Sequence, residues 1–192
     1  MKILLVVATP QEVINDKFKD CKILITGMGM VNTSIQVTKE LSQNKYNLVI
    51  NMGVAGSFSQ DYIIGDVVEV VEDNFSEFGF ENGDDFGLFS DSEIVTKYIV
   101  EGKTTLQKVK GITVNTVHGN DQSIDKIVNR LNADLESMEG AAVFKVCSKF
   151  GVSCVQIRAI SNIVEKRNKA NWNMPLAIHN LNNQVAKIIM GL

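Results

Sequence analysis

Proline, cysteine and runs of basic residues are all scarce in this sequence, and each scarcity excludes something. The only prolines are Pro10 and Pro175. No Ser/Pro/Gly-rich linker, charge block or fixed-period repeat divides the chain, so a single domain over residues 1–192 is expected. Three cysteines, Cys21, Cys147 and Cys154, are odd in number and lack CxxC spacing. That argues against a disulfide framework or a zinc site and for reduced thiols in a cytoplasmic protein. The formal net charge is -3 and no stretch of Lys and Arg could track a phosphate backbone, so nucleic acid is excluded as a partner. The opening MKILLVVATP is too short for the apolar core and cleavage site of a signal peptide and reads as a first buried strand. Hydrophobic residues at 45% and charged residues at 21% point to neither disorder nor a membrane protein.

What the sequence does have is a regular alternation. Apolar runs of strand length occur at Ile3–Ala8, Lys22–Ile25, Asn47–Met52, Asp66–Val71, Ile112–Val117 and Val152–Ala159. Continuous runs of this kind suit strands covered on both faces. Helical spacing separates them at Asn32–Leu41, Ser92–Glu101, Ser123–Leu131, Glu139–Phe150 and from about Ala170 to Ile189. The fold class predicted is α/β, a three-layer α/β/α sandwich. The segment Asn74–Gly87 differs in carrying four Phe among acids and glycines, a composition suited to covering a ligand or another subunit.

Five short segments could carry chemistry. Thr26-Gly27-Met28-Gly29-Met30 lets the backbone approach a ligand, or makes a tight turn; it lacks the third glycine of a dinucleotide fingerprint and the lysine of a P-loop. The cluster Asn51–Ser57 follows the central strand, whose carboxyl end is where ligands settle in open sheets. Glu136-Ser137-Met138-Glu139 puts two acids where a helix begins, where a carboxylate can simply favour the helix dipole. Arg158-Ala159-Ile160-Ser161-Asn162 ends a buried strand in polar residues that must find partners. Glu12 follows the first strand as a solvated acid or as a holder of water. His118 and His179 are too far apart to form a helix-based metal pair and are given no catalytic role.

Taken in order, Glu12, the Asn51–Ser57 cluster, Phe78-Gly79-Phe80, Met138-Glu139 and Arg158–Asn162 resemble the nucleoside phosphorylase and nucleosidase superfamily. The resemblance covers nearly the whole chain and is strongest to 5'-methylthioadenosine/S-adenosylhomocysteine nucleosidases and futalosine hydrolases. It implies a central mixed sheet and a hydrolase that needs no metal or organic cofactor. Glu12 would orient and deprotonate the attacking water, Glu139 would bind the ribose hydroxyls, and Met138 would pack beneath the sugar. Val54, Ala55, Gly56, Arg158 and Ser161 would complete the substrate-binding set. Phe78 and Phe80 match an aromatic pair that reaches a neighbouring subunit's pocket, implying a homodimer or larger homo-oligomer with a shared site.

The roles make chemical sense. Cleaving an N-glycosidic bond develops positive charge on the sugar and negative charge on the base, so one carboxylate must prepare water while a second favours the cation. Phosphorylases hold their nucleophile with arginines, one of them just before the glycine motif. Here Asn51 stands in that place, and Arg130, Arg158 and Arg167 are the only arginines. A dianion without a bidentate clamp is poorly held, so water is the expected nucleophile.

Asn162 departs from the adenine-releasing relatives, which carry a proton-donating Asp. An amide donates to a 6-oxo group and accepts from a protonated N7, so hypoxanthine suits it better than adenine. The stretch Ser161–Asn168, with Trp172 and Ile178–Leu181, looks most like futalosine hydrolases, which release hypoxanthine and dehypoxanthine futalosine in menaquinone biosynthesis. Alternatives are a methylthioadenosine/S-adenosylhomocysteine nucleosidase with its acid replaced, and a non-catalytic nucleoside-binding protein. Lys166 and Arg167 could meet a substrate carboxylate but stand outside the catalytic set.

Overall fold

The apolar runs become the centre of a mixed sheet in the computed structural model, which describes residues 1–83, 85–89 and 94–192. Its strands are β1 (Ile3–Val7), β2 (Lys22–Ile25), β3 (Leu48–Ser57), β4 (Val67–Phe75), β7 (Lys97–Ile99), β8 (Lys108–Thr113), β9 (Leu135–Ser137) and β10 (Ser153–Ile163). A separate hairpin pairs β5 (Phe80–Asn82) with β6 (Asp85–Gly87). The helices are α1 (Met30–Gln43), α2 (Asp121–Leu131), α3 (Gly140–Phe150) and α4 (Met174–Met190).

Both faces of the sheet are covered, as the unbroken apolar strands require. In β1 the side chains of Ile3, Leu5 and Val7 enter one core with Ile50, Ile157, Leu181 and Val185, on the α4 side. Leu4 and Val6, pointing the other way by the period of two, join Val37, Leu41, Val49, Val143 and Phe144 under α1 and α3. This gives the α/β/α layering. The strand order is β10-β4-β8-β9-β3-β1-β2, and β10 also pairs along β3, so β10, β4, β8, β9 and β3 close into a ring. Closure depends on length: β1 accompanies only Leu48–Asn51 of β3, leaving Gly56 and Ser57 free to pair with Glu136 and Leu135 of β9.

Three expected elements need correction. The strand expected at Ile112–Val117 runs instead from Lys108 to Thr113, because its first half alternates exposed Lys108 and Lys110 with buried Val109 and Gly111 and has no continuous apolar run. Of the helix expected at Ser92–Glu101, Ser92 and Glu93 lie outside the described residues; the rest contains β7, held antiparallel to β4 through Glu72–Asn74. The last helix begins at Met174 rather than near Ala170, where Asn173 accepts from Leu176 N and Pro175 occupies the first turn.

Beneath α3 lies a buried polar cluster. Asp73 accepts from Thr113 Oγ1 and Gln156 Nε2, both at 2.9 Å, and Ala141 N donates to Thr113 Oγ1 at 2.7 Å. Burial raises the Asp73 carboxyl to about 6, against hydrogen bonds and the Arg158 charge, which lower it. The folded protein therefore holds a proton that the unfolded chain, near 3.8, has released. Stability contributed by this group is present below the unfolded value and is lost as pH rises toward 6. The expected loss is on the order of 3 kcal/mol. Asp73→Asn should flatten this part of the curve in urea melts between pH 4 and 7; an unchanged slope would refute it.

Candidate functional site

Glu12 is positioned by a single tight turn, Pro10–Glu12, that follows β1. Its carboxylate accepts from Thr9 N at 2.9 Å, Thr9 Oγ1 at 3.2 Å and Val54 N at 3.3 Å. The turn's backbone is held from α4, where buried Asn182 donates to Glu12 O at 3.0 Å and accepts from Ile14 N at 2.7 Å. Gly53 is required here by space. A Cβ on it would lie 2.9 Å from Glu12 Oε1 and would collide with the Arg158 guanidinium.

Arg158 is 1% exposed and donates to Asn51 Oδ1 at 2.6 Å, while Asn51 Nδ2 donates to Val6 O at 3.2 Å. Its positive charge acts on Glu139, whose Oε1 accepts from Gly29 N at 2.9 Å. Gly29 has φ of 90°, a conformation that favours glycine, and it opens α1. The Thr26–Met30 segment thus proves to be a turn with a role, since it presents an N–H to the second acid. Burial pushes the Glu139 carboxyl up; Arg158 and the Gly29 N–H pull it down, and the Glu12 charge raises it again. The two carboxylates therefore share one electrostatic neighbourhood.

Farther along β3, a Cβ on Gly56 would lie 3.1 Å from Asn162 Nδ2. Gly53 and Gly56 are about 10 Å apart along the strand at roughly 3.3 Å per residue. The register between β3 and β10 shifts between Ile160 and Asn162, a bulge that re-aims the side chains at the strand end. Asn162 Nδ2 donates to Ile163 O at 3.1 Å and Ser161 Oγ donates to Asn162 Oδ1 at 2.8 Å. Since Ile163 O can only accept, the amide orientation is fixed. One N–H and one lone pair of Asn162 are left uncommitted.

Across Gly56 from Asn162, on the other side of β3, stands a pair that the sequence did not reveal. Glu136, opposite Gly56 in the sheet, is buried and accepts from His118 N at 3.0 Å, and His118 Nδ1 lies 2.6 Å from its other oxygen. The sequence signal was present only as two isolated residues; the parallel pairing of β8 and β9 brings them together.

These groups border one cavity of about 320 Å3, within the size range of small-molecule sites. Glu12, Val54, Ala55, Gly56, Met138, Glu139, Ser161 and Asn162 all line it, as do Thr9, Met28, His118, Glu136, Trp172 and Ile178. Three expected site residues do not. Arg158 lies behind the wall, where it organises Asn51 and the acids. Phe78 and Phe80 are 49% and 44% exposed and cluster with Phe89 at ring separations of 5.9 and 5.5 Å, away from this chain's own cavity.

The sequence model of the phosphorylase superfamily matches residues 12–190. The chain is 30% identical over 189 residues to a 5'-methylthioadenosine/S-adenosylhomocysteine nucleosidase of Marinomonas sp., covering 90% of this chain and 82% of that protein. It is 28% identical over 180 residues to a futalosine hydrolase of Acidothermus cellulolyticus, covering 86% and 74%. The native structure of futalosine hydrolase from Helicobacter pylori superposes with a TM-score of 0.87 at 17% identity, covering 100% of this chain and 98% of that one, a likeness of fold.

Proposed function

The chain belongs to the phosphorylase superfamily, and from that premise we propose that it is a nucleosidase that hydrolyses the N-glycosidic bond of futalosine, releasing hypoxanthine and dehypoxanthine futalosine. The observation that carries this reading is the fixed amide of Asn162. Its uncommitted N–H suits O6 of a 6-oxopurine and its uncommitted lone pair suits a protonated N7, while an amide has no acidic proton with which to release adenine by protonating N7. The relatives include both futalosine hydrolases and methylthioadenosine/S-adenosylhomocysteine nucleosidases at similar identity, so the base is chosen on this geometry.

Water is the nucleophile. All three arginines are engaged: Arg158 on Asn51, Arg130 on Ser76 O and the Phe86 ring, Arg167 over the Trp172 ring. Arg167 alone of the three lines the cavity, and one stacked guanidinium with no second arginine beside it makes a poor clamp for a phosphate dianion. Glu12 orients the water and accepts its proton as the sugar gains cationic character. Glu139 binds the ribose hydroxyls, and its negative charge favours that cation. The assay is base release from futalosine, inosine and methylthioadenosine, with and without phosphate. Hypoxanthine from futalosine at a phosphate-independent rate is expected; faster adenine release from methylthioadenosine would overturn the choice of base.

The functional unit is a homodimer or larger homo-oligomer with a shared site. Phe78 and Phe80 are supported in this role by their exposure beside exposed Phe89, an aromatic patch too apolar to be left in water without purpose. Phe78→Ala should raise KM severalfold with kcat little changed. An unaltered KM would count against the shared site.

A further inference from the structure

Resting on the nucleosidase reading, one step of the reaction still lacks a group. When the bond from C1' to N9 breaks, the departing purine must take up a proton, and Asn162 has none to give. His118 is the imidazole that lines the same cavity. Its Nδ1 is held 2.6 Å from the Glu136 carboxylate and its side chain is 13% exposed. No partner for Nε2 occurs among the described residues, so the ring's second nitrogen is the one available to a ligand. The pair sits at the base end of the cavity: Glu136 is opposite Gly56, and Gly56 packs against the Asn162 amide. Glu12 lies at the Gly53 end.

We propose that His118 is the general acid of the reaction, with Glu136 as its positioning residue. Nδ1–H donates to Glu136, which fixes the tautomer and turns Nε2 toward the purine. In the charged form, Nε2–H gives its proton to N7 as the electron pair of the C1'–N9 bond leaves with the base, and the N7–H so formed then donates to the free lone pair of Asn162. Water oxygen bonds to C1' and its proton passes to Glu12. Solvent then reprotonates His118 and deprotonates Glu12, so one nucleoside and one water yield one free base and one free sugar. The charged neighbours of the imidazole are Glu136 from β9 and, after β10, the cavity-lining Glu165 and Arg167; Arg167 Cβ lies 3.5 Å from where a Cβ on Gly119 would be. Phe58 meets the ring edge-on at 6.0 Å and brings no charge.

The test compares futalosine with its N7-methylated derivative, whose base is already cationic and departs without being protonated. Glutamine can keep the hydrogen bond to Glu136 but cannot deliver a proton. His118→Gln should lower kcat on futalosine about 100-fold or more and leave kcat on the methylated nucleoside within about threefold of wild type. Equal losses on both substrates, or no loss on futalosine, would overturn the assignment. Should the variant fold poorly, the wild-type enzyme answers the same question: kcat on futalosine falls on the alkaline side while kcat on the methylated substrate does not, and parallel profiles refute the acid. Failure of wild type to release hypoxanthine from futalosine at all would instead overturn the nucleosidase reading itself.

Discussion

Replacing Glu12 by glutamine should abolish turnover, with kcat reduced by about 1000-fold or more and nucleoside affinity nearly unchanged. A carboxylate offers roughly four lone-pair directions, and in Glu12 three are taken by Thr9 N, Thr9 Oγ1 and Val54 N. The one that remains is the seat for water. Those three donors hold the acceptor still, so no reorganisation is needed as the water loses its proton. Glutamine keeps the length of the side chain but has one oxygen and an NH2 group, and cannot take a proton from water at neutral pH. Whichever way the amide turns, its NH2 faces Thr9 N–H or Val54 N–H. The weaker contact, to Val54 at 3.3 Å, is the one expected to yield. Binding of dehypoxanthine futalosine or futalosine by calorimetry, set beside single-turnover rates, separates the two effects. Undiminished catalysis would remove Glu12 as the base. A large loss of affinity with catalysis intact would make it a binding residue.

Legibility in the sequence followed the range of the interactions. β1 was readable because burial on both faces leaves an unbroken apolar run, β2 because Ile23–Ile25 is apolar although the strand lies at the sheet edge with Lys22 and Ile25 exposed, and α1, α2 and α3 because their apolar spacing is local. The ring formed by β3, β9, β8, β4 and β10 was not. It depends on the far end of β3 running past β1 while it stays paired with β10, and on β9, three residues long, filling the gap. The site divides in the same way. Glu12, Glu139 and Asn162 each stand at the end of an element, and the three converge on one cavity. Arg158, conspicuous as a charge at the end of an apolar strand, serves from behind the wall. Its guanidinium occupies the space left by Gly53, a relation between two strands that neither segment reveals alone. His118 escaped for a related reason. A search for metal-type spacing compares residues on one helix, while the partner of His118 is a carboxylate eighteen residues away on the adjoining strand. Glu136 itself read as an acid favouring the dipole of the following helix, yet its carboxylate serves the imidazole.

Asn162→Asp should invert the choice of base, raising adenine release from methylthioadenosine relative to hypoxanthine release from futalosine by about 100-fold or more. The direction follows from the two neighbours that fix the amide. Ser161 Oγ can donate to the aspartate as it does to Asn162 Oδ1. The second aspartate oxygen takes the place of Nδ2 and lies near Ile163 O, 3.1 Å from the nitrogen it replaces. Two oxygens at that distance repel unless one carries hydrogen, so this carboxyl favours its protonated form. Turned from Ile163 O toward N7, that proton is the donor that adenine needs, and after transfer the carboxylate accepts from the amino group. The 6-oxo group of hypoxanthine meets the opposite fate, since it then faces an acceptor and leaves two buried oxygens without a shared proton. Release of both bases by the variant, compared as ratios of kcat/KM, is the measurement. If the ratio stays within a few-fold of wild type, base selection does not reside at residue 162.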